Sequence, residues 1–212
     1  SAFGLILFTI SAALAFEVEE SVVFEGLASG PELKILSTTD AEIFAPLVLA
    51  YQRRNPQVTV HYTVTSTQQL YQAIKEEAAA FDVAVSSAMD LQMKLANDGY
   101  ALGLRSAATA ELPGWAHWRD QLFAFTQEPV VLVVSQKGFQ GLSFPRTRDD
   151  LIRLMRENPE RFKGRMGTYD PNRSGAGYLF ATQDARQSDT YWRMSEVMGQ
   201  LDPQLYTSTG AM

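Results

Sequence analysis

The chain contains no cysteine, which removes disulfides, thiolate metal ligands and a cysteine nucleophile together. Only two histidines occur, His61 and His117. They lack the HExxH or i,i+4 spacing that presents paired imidazoles to zinc, so a sheet-face His61 and a loop His117 are the simpler account, and no metal is expected. Positive charge is in deficit, because 18 Lys and Arg against 24 Asp and Glu leave a formal net charge of −6. A face that displaces counterions from nucleic acid needs the opposite balance, so no nucleic acid partner is expected. There is no G-x-S-x-G elbow, and Gly175-Ala176-Gly177 lacks the Lys-Ser/Thr that would complete a Walker loop. A serine nucleophile would find no base beyond the two histidines, so the chain reads as a non-enzyme without a cofactor.

Long apolar runs are also scarce, with one partial exception. Residues 2–15 carry no charge and end in Ala13-Leu14-Ala15, the A-x-A form that signal peptidase accepts, although no basic stretch precedes it. Such a segment falls short of the roughly 20 residues that span a bilayer as a helix. Residues 1–15 therefore read as signal-peptide-like, with a membrane anchor or a buried structural element as alternatives, and the protein as exported. Residues 16–31, acidic and ending in Gly30-Pro31, read as a leader, and the fold proper is expected to begin at Glu32. The remaining balance, 46% hydrophobic and 20% charged residues over 212 positions, is ordinary for a chain that buries a core.

What is present is a repeated junction. Four times an apolar, β-branched run ends in small hydroxyl or turn residues and passes into a helical pattern: at Ser37-Thr38-Thr39, at Thr65-Ser66-Thr67, at Ser86-Ser87, and at Asp170-Pro171-Asn172-Arg173-Ser174-Gly175. The alternation predicts strands over 33–37, 58–65 and 82–86 and helices over 40–54, 67–80 and 88–97, which is the sequence form of βαβ units and a parallel sheet. Thr39-x-x-Glu42, Ser87-x-x-Asp90 and Thr147-x-x-Asp150 have capping-box spacing. Ile43, Phe44, Leu47 and Tyr51 mark the inner face of the first helix, and Leu70, Ile74 and Ala78 that of the second. Asn55-Pro56, Gly99 and Asn158-Pro159 end helices.

Residues 104–120, with Trp115, His117 and Trp118, read as loop or short turns packed by the two indoles. The apolar run over 122–136 is interrupted at Gln127-Glu128-Pro129, where proline allows only an edge, a start or a bend of a strand. A crossing between two lobes has this form. A helix after Thr147 and a strand over 162–169 follow.

In an open parallel sheet the junctions at the carboxyl ends of strands lie on one edge, so their amides and hydroxyls converge on a crevice suited to an oxygen-rich solute. In the last junction Arg173 offers a two-donor fork, Ser174 a hydroxyl, and Gly175 and Gly177 close backbone approach at a helix start, a combination that favours an anion. A hydroxyl before a helix is most often only a cap, and a glycine-rich turn with a solvated arginine is the plain alternative.

The segment Asp170-Pro171-x-Arg173-Ser174-Gly175-x-Gly177-Tyr178, the hydroxyl junctions upstream and Phe123-Ala124-Phe125-Thr126-Gln127-Glu128-Pro129 between them resemble the extracellular solute-binding proteins of ABC importers. More narrowly they are similar to the iron(III)/phosphonate-type branch of the type II periplasmic binding fold. The resemblance implies an α/β, two-lobed protein with mostly parallel sheets flanked by helices, with lobe one over 32–127 and part of lobe two over 128–212. It implies ligand-binding roles for Thr38, Thr39, Ser66, Thr67, Ser86 and Ser87 from lobe one, and for Asp170, Arg173, Ser174, Gly175, Gly177 and Tyr178 from lobe two. Gln127, Glu128 and Pro129 match the hinge. The implied partners are a membrane permease and one small solute, in such families an anion, a metal complex or a small organic molecule, with an anion favoured by the Arg173 junction above; a ligand-sensing extracytoplasmic domain joined to a receptor signalling module such as a sensor kinase is the alternative. The chain lacks the adjacent tyrosine pair of iron-binding members, so ferric iron is unsupported. Members of the family are usually longer, with a later crossover returning to lobe one. A chain incomplete at that end would leave lobe one with exposed apolar surface, covered by residues 2–15 or by self-association.

Overall fold

A computed structural model describes residues 16–27, 29–77, 79–127 and 129–212. The segment expected to be signal-like, Ala78 and the hinge residue Glu128 lie outside the described residues. A four-stranded sheet is built from β1 (Glu20–Phe24), β2 (Glu32–Ser37), β3 (Thr59–Val64) and β4 (Val83–Val85), in the order β1-β3-β2-β4. β2 runs parallel to both β3 and β4, and β1 runs antiparallel to β3. The sheet is therefore mixed, and the expected leader over 16–31 contributes an edge strand. Ser21, Val22 and Val23 supply the β-branched and small residues that allow pairing, but only β3, distant in sequence, supplies the ladder.

The helices that alternate with these strands are α1 (Ala41–Arg54), α2 (Thr67–Lys75) and α3 (Met89–Asn97). Successive side chains of a strand point to opposite faces, and the buried core divides accordingly. Ile35, Val60, Tyr62 and Val64 pack with Ala41 and Val48 of α1, whereas Leu36 packs with Leu70, Tyr71 and Leu95 of α2 and α3. The inner face of α1 is thus Ala41, Phe44 and Val48, and the expected Ile43, Leu47 and Tyr51 are 68%, 51% and 42% exposed. Two apolar stripes run along this helix, and only contact with the sheet selects between them. α2 stops at Lys75, short of the expected residue 80, and α3 is closed by Gly99 at φ 90°.

Two of the three expected capping boxes do not form. The cap of α1 is Asp40, whose side chain makes no cap bond; the Ala41 amide donates instead to Glu20 Oε2 at 3.1 Å, a carboxylate delivered by β1. The cap of α3 is Ala88, and its amide donates to Ser86 Oγ at 3.1 Å. Thr147 does form the reciprocal box with Asp150, at the start of α5 (Arg148–Glu157). The link between contains a short helix α4 (Ala107–Ala110), a 3-10 turn at Gly114–Ala116, and a two-residue hairpin of β5 (His117–Trp118) and β6 (Leu122–Phe123). Trp115 is 60% exposed and does not pack this link as expected, while Trp118 carries the Arg119 guanidinium over its ring.

Beyond β6 the apolar run forms no strand among the described residues. Residues 124–127 and 129–136 have no strand or helix, and Val130, Val131, Leu132 and Val133 are exposed. Pro129 has no amide to donate, and no neighbouring strand among the described residues accepts the run. The remaining elements are α6 (Pro159–Phe162), β7 (Gly167–Tyr169), α7 (Gly175–Gln187), α8 (Tyr191–Gln200) and β8 (Gln204–Tyr206), with β7 parallel to β8. The strand expected over 162–169 is shortened because Pro159 nucleates a helical turn that extends through Phe162. Phe139, Ile152, Met155, Phe162, Val197 and Leu201 form a third core cluster, fed only by this half of the chain.

Tyr62, buried at 0% exposure, lies with its hydroxyl 2.7 Å from Ser37 Oγ and 2.9 Å from the Thr39 carbonyl, and Ser37 Oγ also accepts from the Thr39 amide at 3.0 Å. Burial leaves these groups no water as a substitute partner. Tyr62→Phe is expected to lower unfolding stability by about 1–3 kcal/mol in urea titration. An independent prediction concerns Gly177, where a Cβ would fall 2.5 Å from Tyr169 Cβ. Gly177→Ala must push α7 off β7, and thermal melts should show a loss of about 1–3 kcal/mol.

Candidate functional site

The crossover through α1 runs from β2 to β3 and the crossover through α2 runs back from β3 past β2 to β4, so right-handed connections place α1 on one face of the sheet and α2 with α3 on the other. The strand order therefore reverses between β2 and β4, and the crevice of such a sheet opens outside the carboxyl ends at that point. Thr38-Thr39 and Ser86-Ser87 occupy those ends. The Thr38 amide donates to Val85 O at 3.0 Å and the Thr65 amide to Ser37 O at 2.9 Å, which ties the three junctions of this sheet side by side.

The fourth junction meets them from the second half of the chain. Ser174 caps α7, accepting from the Gly177 amide at 3.1 Å, and the Gly175 amide donates to Thr67 Oγ1 at 2.7 Å. A Cβ on Gly175 would lie 2.8 Å from Leu91 Cδ1 and 3.3 Å from Ala88 Cβ. Both glycines are thus accounted for by packing, Gly175 against α2 and α3 and Gly177 against β7. A fifth junction, outside the four expected ones, follows β8 at Thr207-Ser208-Thr209-Gly210. Its Thr209 Oγ1 lies 2.6 Å from the Tyr169 hydroxyl, and Gly210 approaches the Asp40 carboxylate. The three consecutive hydroxyl residues before Gly210 are its sequence signal. The carboxyl ends of the β7–β8 sheet accordingly face those of the first sheet.

Many of the expected site residues serve the chain itself. Ser66 Oγ caps α2 by accepting from the Gln69 amide, Thr67 and Ser174 accept from α7, Ser86 accepts from Ala88, and Asp170 Oδ1 accepts from the Asn172 amide at 2.9 Å. The hydroxyls of Thr38, Thr39, Ser87 and Tyr178 and the guanidinium of Arg173 make no hydrogen bond among the described residues. Arg173 is exposed and without an ion pair there, and Tyr178 is 55% exposed. Of the hinge residues, Gln127 and Pro129 lie exposed in the irregular stretch after β6.

Charge on the two sides differs in sign. Beside Thr38 and Thr39, burial raises the Glu19 carboxyl above the usual range, and the neighbouring Glu17 and Asp40 charges raise it further. Burial likewise pushes the Tyr62 hydroxyl up, with Asp40 and Glu20 adding to it against the lowering effect of the Ser37 bond. Arg173, exposed in the loop between β7 and α7, carries the opposite charge. No group of three or more His, Asp or Glu residues suited to a metal ion occurs among the described residues. His61 lies on β3 with Nε2 3.6 Å from Glu32 Oε2, and His117 is an exposed residue of β5. Among the described residues no helix is long and apolar enough to cross a membrane.

A family model described as bacterial extracellular solute-binding protein matches residues 36–210. Among solved structures the chain is similar to the substrate binding protein of the ABC transporter from Agrobacterium tumefaciens, with TM-score 0.87 and 34% identity over 92% of this chain and 60% of that one. The present chain thus spans about 60% of that relative's length. It is also similar to a two-component system protein that mediates signal transduction, with TM-score 0.60 and 16% identity over 84% of this chain and 57% of that one; this second likeness shows the fold alone. A comparison with curated proteins returns no match. On the extent of the family match and the identity with the Agrobacterium structure, the chain belongs to the bacterial extracellular solute-binding protein family.

Proposed function

We propose that the chain is the solute-capturing part of an ABC import system, acting outside the cytoplasm and presenting its solute to a membrane permease. The observation that carries this reading is the facing of two sets of strand ends, with the hydroxyls of Thr38, Thr39 and Ser87 on one side and Arg173 and Tyr178 on the other still unpartnered among the described residues. The likeness to an ABC transporter substrate binding protein supports it. On this reading the first lobe takes in β1 as well as residues 32–127, the second runs from about residue 128, and the irregular stretch at Gln127 and Pro129 is where they hinge. A sensing role has less support, because the likeness to a signalling protein stands at 16% identity.

The solute carries an anionic group met by Arg173, as in the phosphonate-type branch of the family. The acidic rim around Asp40 would repel that group, which sets its orientation: the anion toward Arg173, the uncharged or cationic end toward Asp40 and Thr39. Ser66, Thr67, Ser86 and Ser174 shape the cleft more than they contact the solute, since their hydroxyls already accept from backbone amides.

Calorimetric titration against phosphate, sulfate, phosphonates and carboxylates, beside neutral sugars and polyamines, tests this reading. An anionic solute should bind. A hydrogen bond to a charged group contributes about 1.5–3 kcal/mol, so Arg173→Ala should weaken that binding roughly tenfold to hundredfold. Ser174→Ala should cost about 1 kcal/mol of stability through the lost cap, with a smaller change in affinity. His61→Ala should change neither. Tight binding of a neutral or cationic solute, unaffected by Arg173→Ala, overturns the anion assignment.

A further inference from the structure

The first turn of α7 has no unsatisfied amide. Gly175 N–H donates to Thr67 Oγ1 at 2.7 Å and Ala176 N–H reaches the same oxygen at 3.4 Å, while Gly177 N–H donates to Ser174 Oγ and Tyr178 N–H to Ser174 O. The acceptor for the first two comes from a residue 108 positions earlier in the chain. Thr67 is 7% exposed and Ser174 2%, so water does not compete for these bonds. An oxygen lone pair at a helix amino terminus is also where the helix dipole favours negative potential. Around this bond the fit is tight, for a Cβ on Gly175 would come within 2.8 Å of Leu91 Cδ1 and 3.0 Å of Thr67 Oγ1. The amino end of α7 therefore seats as a glycine-sized knob between the first turns of α2 and α3.

We propose that Thr67 is a clasp between the two halves of the protein, its hydroxyl accepting from the α7 amino terminus and holding the halves together. Thr67 is a positioning residue on this account. It leaves Arg173 as the anchor for an anion, because the amides that a helix terminus would offer are already used. The inference rests on the two-lobed reading above, but not on the identity or charge of the solute.

The test is made without solute, on the full chain. Amide hydrogen exchange is read at Gly175 and Ala176. The distance between the halves is read by paired spin labels at Arg54→Cys and Arg186→Cys, which are site-specific because the chain has no cysteine of its own. The unsubstituted Thr67 protein should protect both amides. Thr67→Val, which keeps the shape and removes the acceptor, should raise their exchange at least tenfold and lengthen the label distance. Thr67→Ser should retain both protection and distance. Thr67→Ala, a smaller change that also removes the acceptor, should raise exchange and lengthen the distance in the same way, and it decides the matter if Thr67→Val does not fold. Unchanged protection in Thr67→Val overturns the clasp. So does faster exchange with an unchanged distance, which would make Thr67 only a local cap. Failure of every solute to bind in the titrations above would leave these readouts unaffected, so the two proposals fail separately.

Discussion

Strand β2 pairs in parallel with β3 on one edge and with β4 on the other, and parallel neighbours can be joined only by crossovers. The step from β2 to β3 and the step from β3 back past β2 to β4 run in opposite directions across the sheet, so right-handed crossovers put α1 and α2 on opposite faces. Everything that makes a site follows from that reversal. The crevice opens between the carboxyl ends of β2 and β4, and the loops at those ends are Thr38-Thr39 and Ser86-Ser87. The face covered by α1 buries Tyr62, whose hydroxyl then braces Ser37 and Thr39 from beneath the same loop.

The hydroxyl residues at the junctions turn out to divide by role. A helix start exposes amides that need acceptors, and burial at a meeting of two sheets denies them water. Ser66, Thr67, Ser86 and Ser174 meet that need, and Glu20 does so for α1 from a neighbouring strand. The hydroxyls of Thr38, Thr39, Ser87 and Tyr178 carry no such duty among the described residues. The distinction rests on which backbone groups lie within reach, since a serine that caps and a serine that binds are the same residue chemically.

Electrostatics adds an asymmetry. At the start of α1 burial holds the Glu19 carboxyl above its usual range, and the neighbouring Glu17 and Asp40 charges raise it further. Arg173, in the loop before α7, is exposed and carries the opposite sign of charge.

Local chemistry in the sequence determined the alternation of strand and helix from residue 32, the location of four junctions, the Ser66, Thr147 and Ser174 caps, and the left-handed turn at Gly99. These depend on residues within a few positions of one another, so the sequence contains the whole interaction. Tertiary structure decided what depends on distant partners. β1 became a strand because β3 offered its edge, and residues 129–136 stayed irregular because no described strand offered one. α1 turned Phe44 and Val48 inward in preference to Ile43 and Leu47 because the sheet, not the helical period, chose between two apolar stripes. Thr67 met Gly175 across 108 positions, a pairing that no local pattern encodes, because it exists only once two separately folded layers of chain come into contact.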